Sequence, residues 1–387
     1  MYNIVIIGTG VVGTLAAKYL ANSPEISHIV LADVDARKLS EAEGEISSNK
    51  ISTRKVDASN YEEVSQAIKG NDLVINAALP SFNLRIMDAC LENKVHYVDL
   101  LTNRAVLDDQ LKRNDEFKKK GLGAVLGMGV SPGITNLFAR KAADQLDEVE
   151  SIIIRVGGSG TVAFKGLPLA PGFSPRSFIE EWVVEPALVY RNGEFTEVPH
   201  FSGEEDWEFP DIGAVKIYYC YHDEVDAIPR AYPQVLKNPS NVEFKYAISQ
   251  RAKNALIVLN EIGLTRGEPI EVGGKQVVPI EVVAKLLPDP KDLIGQAQAR
   301  GYVTVEVKGK KEGKETSYSY FTTADNDEAF TKYRTDFTAL LTGLSPAILV
   351  EFMAKGLEIK GVITPECLDP DPILDKYGEI CQVGEIK

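Results

Sequence analysis

Residues 3–13 read Asn3-Ile-Val-Ile-Ile7-Gly8-Thr9-Gly10-Val11-Val12-Gly13, and the rest of the chain is organised around them. The apolar run 3–7 fits a strand buried in a parallel sheet. Helical spacing follows over 12–20, with Leu15, Ala16 and Leu20 on one side. A second apolar run, 29–33, ends in Asp33, twenty residues after Gly13. The three glycines differ in what they allow. Gly8 permits a tight turn, Gly10 lets a pyrophosphate reach the backbone, and Gly13 lets the helix pack closely on the strand. The helix N-terminus offers free N–H groups and a positive dipole end to phosphates. Asp33 is placed to accept from both hydroxyls of an adenosine ribose. The glycine pattern between a strand and a helix, with an acid at this distance, predicts a bound nicotinamide dinucleotide. A flavin, or a fold of this type that binds nothing, is the alternative. The expected contacts are Gly8, Thr9, Gly10, Val11, Val12, Gly13, Asp33 and Val34. A 2′-phosphate would be repelled by Asp33, so NAD is expected, with NADP as the alternative. Arg37, one helical turn on, would offset that repulsion, or is simply a solvated helix residue.

The chain has 387 residues, enough for two domains, and a net charge of −14, which argues against nucleic acid or an anionic membrane as partner. No apolar run approaches the roughly 20 residues of a membrane helix. The first strand begins by Asn3, so no signal peptide is expected. Cys90, Cys220, Cys367 and Cys381 show no CxxC pairing, and His28, His96, His200 and His222 form no metal-binding cluster with them. A reduced, cytoplasmic, metal-free protein is expected.

In chain order, the first part alternates helices and strands. Helices are expected over 37–46, 83–93 and 104–120, and strands over 51–56, 72–76, 96–100 and 124–127. Pro132-Gly133 opens a further helix. The alternation predicts an α/β fold, a doubly wound parallel Rossmann sheet over 1–145. Ligands bind outside the carboxyl ends of such strands, which points to Ala77, Ala78, Leu79, Pro80, Asp99, Thr102, Met128 and the turn 129–133. Asp57-Ala58 lies beside the expected adenine position, where Asp57 either accepts from the exocyclic amine or caps the next helix. From about 149 to 307, aromatic and β-branched residues cluster in short runs. They predict an α+β domain with a mostly antiparallel sheet, spanning 146–334 and suited to substrate binding and homo-oligomer formation. Residues 203–210 read as an acidic loop and 308–316 as a hairpin tip. An apolar helix over 335–355 is expected to return to the first domain within a C-terminal segment 335–387 that ends in a Pro-rich tail.

Several stretches together resemble the saccharopine dehydrogenase family: 8–13, Leu31-Ala-Asp-Val-Asp35, Val56-Asp-Ala-Ser59, Val74-Ile-Asn-Ala77, Val95-His-Tyr-Val-Asp-Leu100, Gly129-Val-Ser-Pro-Gly133 and Gly361-Val-Ile-Thr-Pro365. Within it, 146–158 and Pro186-Ala-Leu-Val-Tyr-Arg-Asn-Gly193 are most similar to the L-lysine 6-dehydrogenases. The likeness thins over 159–170 and 201–242. It implies an enzyme that oxidises a carbon–nitrogen bond of an amino acid with NAD or NADP. In the leading reading the lysine ε-amine becomes an imine, and water releases ammonia. The alternatives are a saccharopine-type enzyme joining glutamate to aminoadipate semialdehyde, a polyamine-forming relative that holds a polycation on acids 204–206 and 223–226, and a non-catalytic dinucleotide sensor.

Such chemistry needs a base that frees the nitrogen lone pair. Asp99, at a strand end, and His222, beside Asp223, are the candidates. Asp99 is otherwise a cap or ribose contact, and His222 a structural residue in a β run. A substrate carboxylate calls for Arg176 or Arg230, unless each is an ordinary ion-pair member. Trp182 and Tyr221 either wall the pocket or pack the core. Thr102, Ser131, Gly133 and Asn136 are the remaining candidates for substrate contact.

Overall fold

The computed structural model describes residues 1–161, 166–296 and 298–386. Part of the stretch 159–170, where the family likeness thins, therefore lies outside the described residues. The chain divides into two compact units: residues 1–145, 226–238 and 340–381 form the first, and residues 146–225, 239–339 and 382–387 the second.

The first unit is built on a seven-stranded, all-parallel sheet. Its strands are β1 (Tyr2–Ile7), β2 (Ile26–Asp33), β3 (Ile51–Lys55), β4 (Leu73–Asn76), β5 (His96–Asp99), β6 (Gly123–Val125) and β7 (Gly361–Ile363), in the order β7-β6-β5-β4-β1-β2-β3. The central strands are apolar on both faces because helices cover both. Ile4, Val5 and Ile6 of β1, and Leu73, Val74 and Ile75 of β4, are fully buried. Helix α1 (Val11–Ala21) follows β1 directly. Asp35 caps α2 (Ala36–Ile46), and Asn60 caps α3 (Tyr61–Ile68), each by accepting two backbone N–H bonds. After α4 (Asn83–Asn93), the single helix expected over 104–120 is two, α5 (Leu107–Leu111) and α6 (Asn114–Lys120). Between them Arg113 turns to the Asp88 carboxylate, at 2.6 and 2.9 Å. Helix α7 (Ile134–Ala143) closes the first run.

The helix Phe337–Ala354 is long and apolar enough to cross a membrane by length and composition, contrary to the expectation that no segment approaches such a span. It is 72% buried, as a core helix would be. Gly343 lies so close to α1 that an added Cβ would sit 2.8 Å from the Val12 carbonyl oxygen.

The second unit carries a nine-stranded mixed sheet. Its path runs Glu205–Phe209, Gly213–Tyr219, Asn241–Ala247, Glu148–Thr161, Gln298–Lys311, Lys314–Asp325 and Gln382–Ile386, with Ala187–Arg191 and Glu194–Val198 attached at one side. Asn241–Ala247 runs parallel to Glu148–Thr161, and the other pairings are antiparallel.

Two further expectations need correction, and the Pro-rich tail gains detail. Residues 203–210 are not a loop: Glu205–Phe209 pairs with Gly213–Tyr219, and its acids alternate with Trp207 and Phe209, which pack on the core. Residues 226–238 belong to the first unit, because Ala227 packs in that unit's core, and the segment 335–387 is shared between the units. The C-terminal tail is ordered as the helix Pro370–Gly378 and the strand Gln382–Ile386, which pairs with Lys314–Asp325.

Candidate active site

The glycine turn has the geometry a pyrophosphate needs. Gly8 has φ +99°, and a Cβ on it would lie 2.6 Å from the Ala77 carbonyl oxygen. A Cβ on Gly13 would lie 2.0 Å from the Gly8 carbonyl oxygen, so α1 sits hard against the turn. Around Gly10 the space is open, with none of the described residues within 4 Å of a built Cβ. Among the described residues no side chain caps α1, and its first turn holds no acid, so its N–H groups and positive dipole end face an anion unopposed. The Asp33 carboxylate closes the cradle. Its Oδ2 accepts from the Thr9 amide and hydroxyl at 2.8 and 2.9 Å, and its Oδ1 from the Asp35 amide at 2.9 Å. Thr9 is fully buried, so its side chain serves by fixing Asp33 rather than by touching a ligand. Val11 is nearly buried, while Val34 stands exposed beyond β2. These residues fit a dinucleotide: open backbone for the phosphates and a held acid for the ribose.

Asp57 is not the helix cap; Asn60 is. The Asp57 carboxylate accepts from the Ser59 amide at 2.8 Å, and Ser59 holds that carboxyl below the usual range. Ala78 is pinned through its amide, which donates to Asn76 Oδ1 at 3.1 Å; Ala77, Leu79 and Pro80 lie part-exposed at the same sheet end.

Asp99 is interior rather than a surface base, with 1% of its area exposed. Its Oδ1 accepts from the Gly127 amide at 2.6 Å. Its Oδ2 accepts from Gln110 Nε2 at 2.7 Å, the Tyr97 hydroxyl at 2.9 Å and Asn83 Nδ2 at 3.2 Å. Burial pushes the carboxyl up to about 7, against the pull of the Gly127, Gln110 and Tyr97 donors. Thr102 is likewise internal, donating to Gln110 Oε1 at 2.5 Å. Met128 is fully buried. Gly133, at φ +128°, has a built Cβ 1.9 Å from the Gly129 carbonyl oxygen, so it shapes the turn. Asn136 caps α7 by accepting from the Gly133 amide at 3.0 Å and donates to Glu366 at 2.8 Å. Ser131 is part-exposed on that turn. Arg230 is bound to Asp226 and Asp108, both at 2.5 Å. The expected carboxylate-binding arginine in this unit is thus already committed to two acids.

In the second unit, His222 does not sit in a strand. It follows Gly213–Tyr219 and immediately precedes the helix Asp223–Arg230. Its ring stacks on Phe244 at 3.7 Å between centroids, and Nδ1 meets the Glu224 carboxylate, not Asp223 as the sequence suggested. Burial works against the imidazolium, but Glu224, Glu181 and Asp223 together raise it to about 9. The acids respond in turn. Burial pushes Glu181 up to about 7 and Asp223 well above the carboxylate range, with His222 pulling both down. Glu224 is fully buried, while Glu181 keeps partial exposure. Trp182 is fully buried, stacked between Phe201 at 5.3 Å and Tyr246 at 5.7 Å, and its indole N–H has no hydrogen-bond partner among the described residues. Arg176 is ion-paired to Glu180 at 2.9 Å and to Glu281. Acids 204–206 are also spent: Glu204 and Asp206 pair with Lys216, and Glu205 with Arg155 and Lys245. Tyr221 is buried and hydrogen-bonds to Asp223.

The charge state of this cluster carries a pH dependence. A folded His222 at about 9 against an ordinary 6.5 contributes stability that is complete below pH 6.5 and lost as pH rises through 9. Glu181, raised from 4.5 to about 7, acts in the same direction, because its ionisation in the fold is opposed. The imidazolium contribution is on the order of 3 kcal/mol. Thermal unfolding from pH 6 to 10 should therefore show a fall in Tm that flattens in His222→Gln. Equal slopes in both proteins would contradict this reading of the cluster.

A doubly wound parallel sheet with a fitted cradle for phosphates and ribose defines the chain as a dinucleotide-binding protein. Residues 4–125 match the saccharopine dehydrogenase NADP binding domain, and residues 129–380 the saccharopine dehydrogenase C-terminal domain. The chain belongs to the saccharopine dehydrogenase family, and it is an NAD(P)-dependent dehydrogenase acting on CH–NH2 or CH–NH donors. Carboxynorspermidine synthase of Vibrio alginolyticus is 31% identical, with 97% of this chain and 94% of that protein covered. Carboxyaminopropylagmatine dehydrogenase of Synechocystis sp. is 29% identical, with 98% and 96% covered. Among solved structures, apo saccharopine dehydrogenase (L-Glu forming) of Saccharomyces cerevisiae aligns at TM-score 0.72 and 14% identity, over all of both chains. Homospermidine synthase of Legionella pneumophila in complex with NAD aligns at 0.71 and 15%, over all of this chain and 91% of the other. These two likenesses bear on the fold.

Proposed function

We propose that the enzyme forms and cleaves a secondary amine between a polyamine-type amine and a carboxylated carbon chain. The observation that carries this is the gathering of Glu181, Asp223 and Glu224 around a single imidazolium, with Tyr246 beside Glu181. Carboxylates gathered in this way favour an organic polycation. The names of the Vibrio and Synechocystis relatives denote carboxylated polyamine-type compounds, which supports the same reading.

When bound, the cofactor supplies or accepts the hydride. In the reductive direction an aldehyde and a primary amine condense with loss of water, and the C=N bond takes up a hydride and a proton. In the oxidative direction the C–N bond is oxidised, water adds, and the bond breaks to aldehyde and amine. The acids bind and orient the distal ammonium groups of the substrate. His222, held by Glu224 through Nδ1, keeps its proton at neutral pH and loses it only in the alkaline range. Lysine oxidation is the second reading, carried by the likeness over 146–158 and 186–193.

The binding test is calorimetric. In the presence of NADH, norspermidine should bind at least about tenfold more tightly than L-lysine, a difference of about 1.4 kcal/mol. It should also release protons at pH 7, because an arriving cation ionises Glu181 and Asp223. Tighter binding of lysine, with no proton release, would contradict the proposal.

A further inference from the structure

Asp99 has no exposed face to offer a substrate, yet its hydrogen bonds reach both loops that leave the cofactor end of the sheet. It ends β5, which lies between β4 and β6. On one side its carboxylate takes the Gly127 amide at 2.6 Å and its own carbonyl takes the Met128 amide at 2.8 Å, so the turn after β6 is held twice. On the other side a directed chain of amides runs to the loop after β4. Asn83 Nδ2 donates to Asp99 at 3.2 Å, Asn83 Oδ1 accepts from Asn76 Nδ2 at 2.8 Å, and Asn76 Oδ1 accepts from the Ala78 amide at 3.1 Å. Tyr97 closes the ring by accepting from Asn76 at 3.1 Å and donating to Asp99 at 2.9 Å.

Each amide has its orientation fixed by a second bond. Gln110 must present its nitrogen to Asp99, because its oxygen takes the Thr102 hydroxyl. Asn83 must do the same, because its nitrogen also serves the Leu101 carbonyl at 2.8 Å. Only a group that accepts at both oxygens satisfies this set; Asn at 99 would set an N–H against the Gly127 amide or against two side-chain amides.

We propose that Asp99 is a positioning residue for the nicotinamide half of the cofactor, setting the backbone of loops 77–80 and 127–133 together. In an open α/β sheet the ligand lies outside the carboxyl ends of the strands, which is where these two loops begin. The adenosine half depends instead on Gly8–Gly13 and Asp33, to which the ring makes no bond among the described residues. Asp99 therefore acts on one half of the ligand only, a consequence that loss of fold stability alone would not produce.

The test compares two probes on the full-length protein. NADH carries the nicotinamide, and ADP-ribose carries everything but. Asp99→Asn should weaken NADH about tenfold or more while changing ADP-ribose less than about twofold. Asn76→Ala, which releases only the Ala78 side, should give a smaller loss with the same selectivity and decides the matter if Asp99→Asn does not fold. Equal losses for both probes, or no loss for either, would overturn the proposal.

Discussion

Gly10→Val is expected to weaken NAD(P) binding about 100-fold, or about 2.7 kcal/mol, while leaving Tm within about 2 °C of the parent. The backbone there, φ −66° and ψ −175°, is one any residue adopts, and a Cβ meets nothing within 4 Å. The added side chain therefore costs the fold little and occupies only the space the pyrophosphate must enter. Gly13→Ala should behave in the opposite way. Its Cβ would sit 2.0 Å from the Gly8 carbonyl oxygen, so the turn or α1 must shift. A loss on the order of 3 kcal/mol is expected, seen as a fall in Tm of roughly 6–12 °C. NADH titration and thermal unfolding of the two variants check the pair. A stable Gly10→Val protein with undiminished NADH affinity would move the phosphate site elsewhere.

The second large effect concerns Glu181. Its carboxyl is raised to about 7, so glutamine is a close mimic of the protonated state it partly holds without a substrate cation. Glu181→Gln should fold normally, with Tm at pH 8 unchanged or slightly raised, since an opposed ionisation is removed. It should raise KM for the polyamine-type substrate about 30–100-fold, or about 2–3 kcal/mol, the range for a charge-assisted bond in a part-buried site. The affinity for NADH should not change. Glu224→Gln is a poorer probe because it also strands the His222 imidazolium, and its effect would mix binding with stability.

Much of the first unit was legible because its signals are local. Continuous apolar runs, glycines at fixed offsets and an acid at a strand end all act within about thirty residues in sequence. The second unit was harder for the opposite reason. Glu205–Phe209 hides a strand inside an acidic run, where two aromatic residues alternate with carboxylates that are spent on Arg155, Lys245 and Lys216. Gln382–Ile386 finds its partner strand some sixty residues upstream, which no local pattern announces. At the site, His222 was visible as a residue type and Glu224 lay within acids 223–226, but the pairing of the two and the more distant Glu181 were not visible. Glu181 sits in a helical stretch, where one acid looks like a solvated face. Asp99 and Asn76, polar residues closing adjacent apolar strands, did carry a signal. For Asp99 it pointed to a base, a cap or a ribose contact, and the internal network emerges only from the register that sets Asn76 beside Asp99.

The most direct test of the substrate assignment follows formation of reduced nicotinamide at alkaline pH, with carboxynorspermidine, carboxyaminopropylagmatine, saccharopine and L-lysine offered separately. Turnover is expected on a carboxylated polyamine-type compound, with an aldehyde and an amine as products, and kcat/KM on lysine lower by at least about 100-fold. Preferred turnover of lysine with release of ammonia would contradict it.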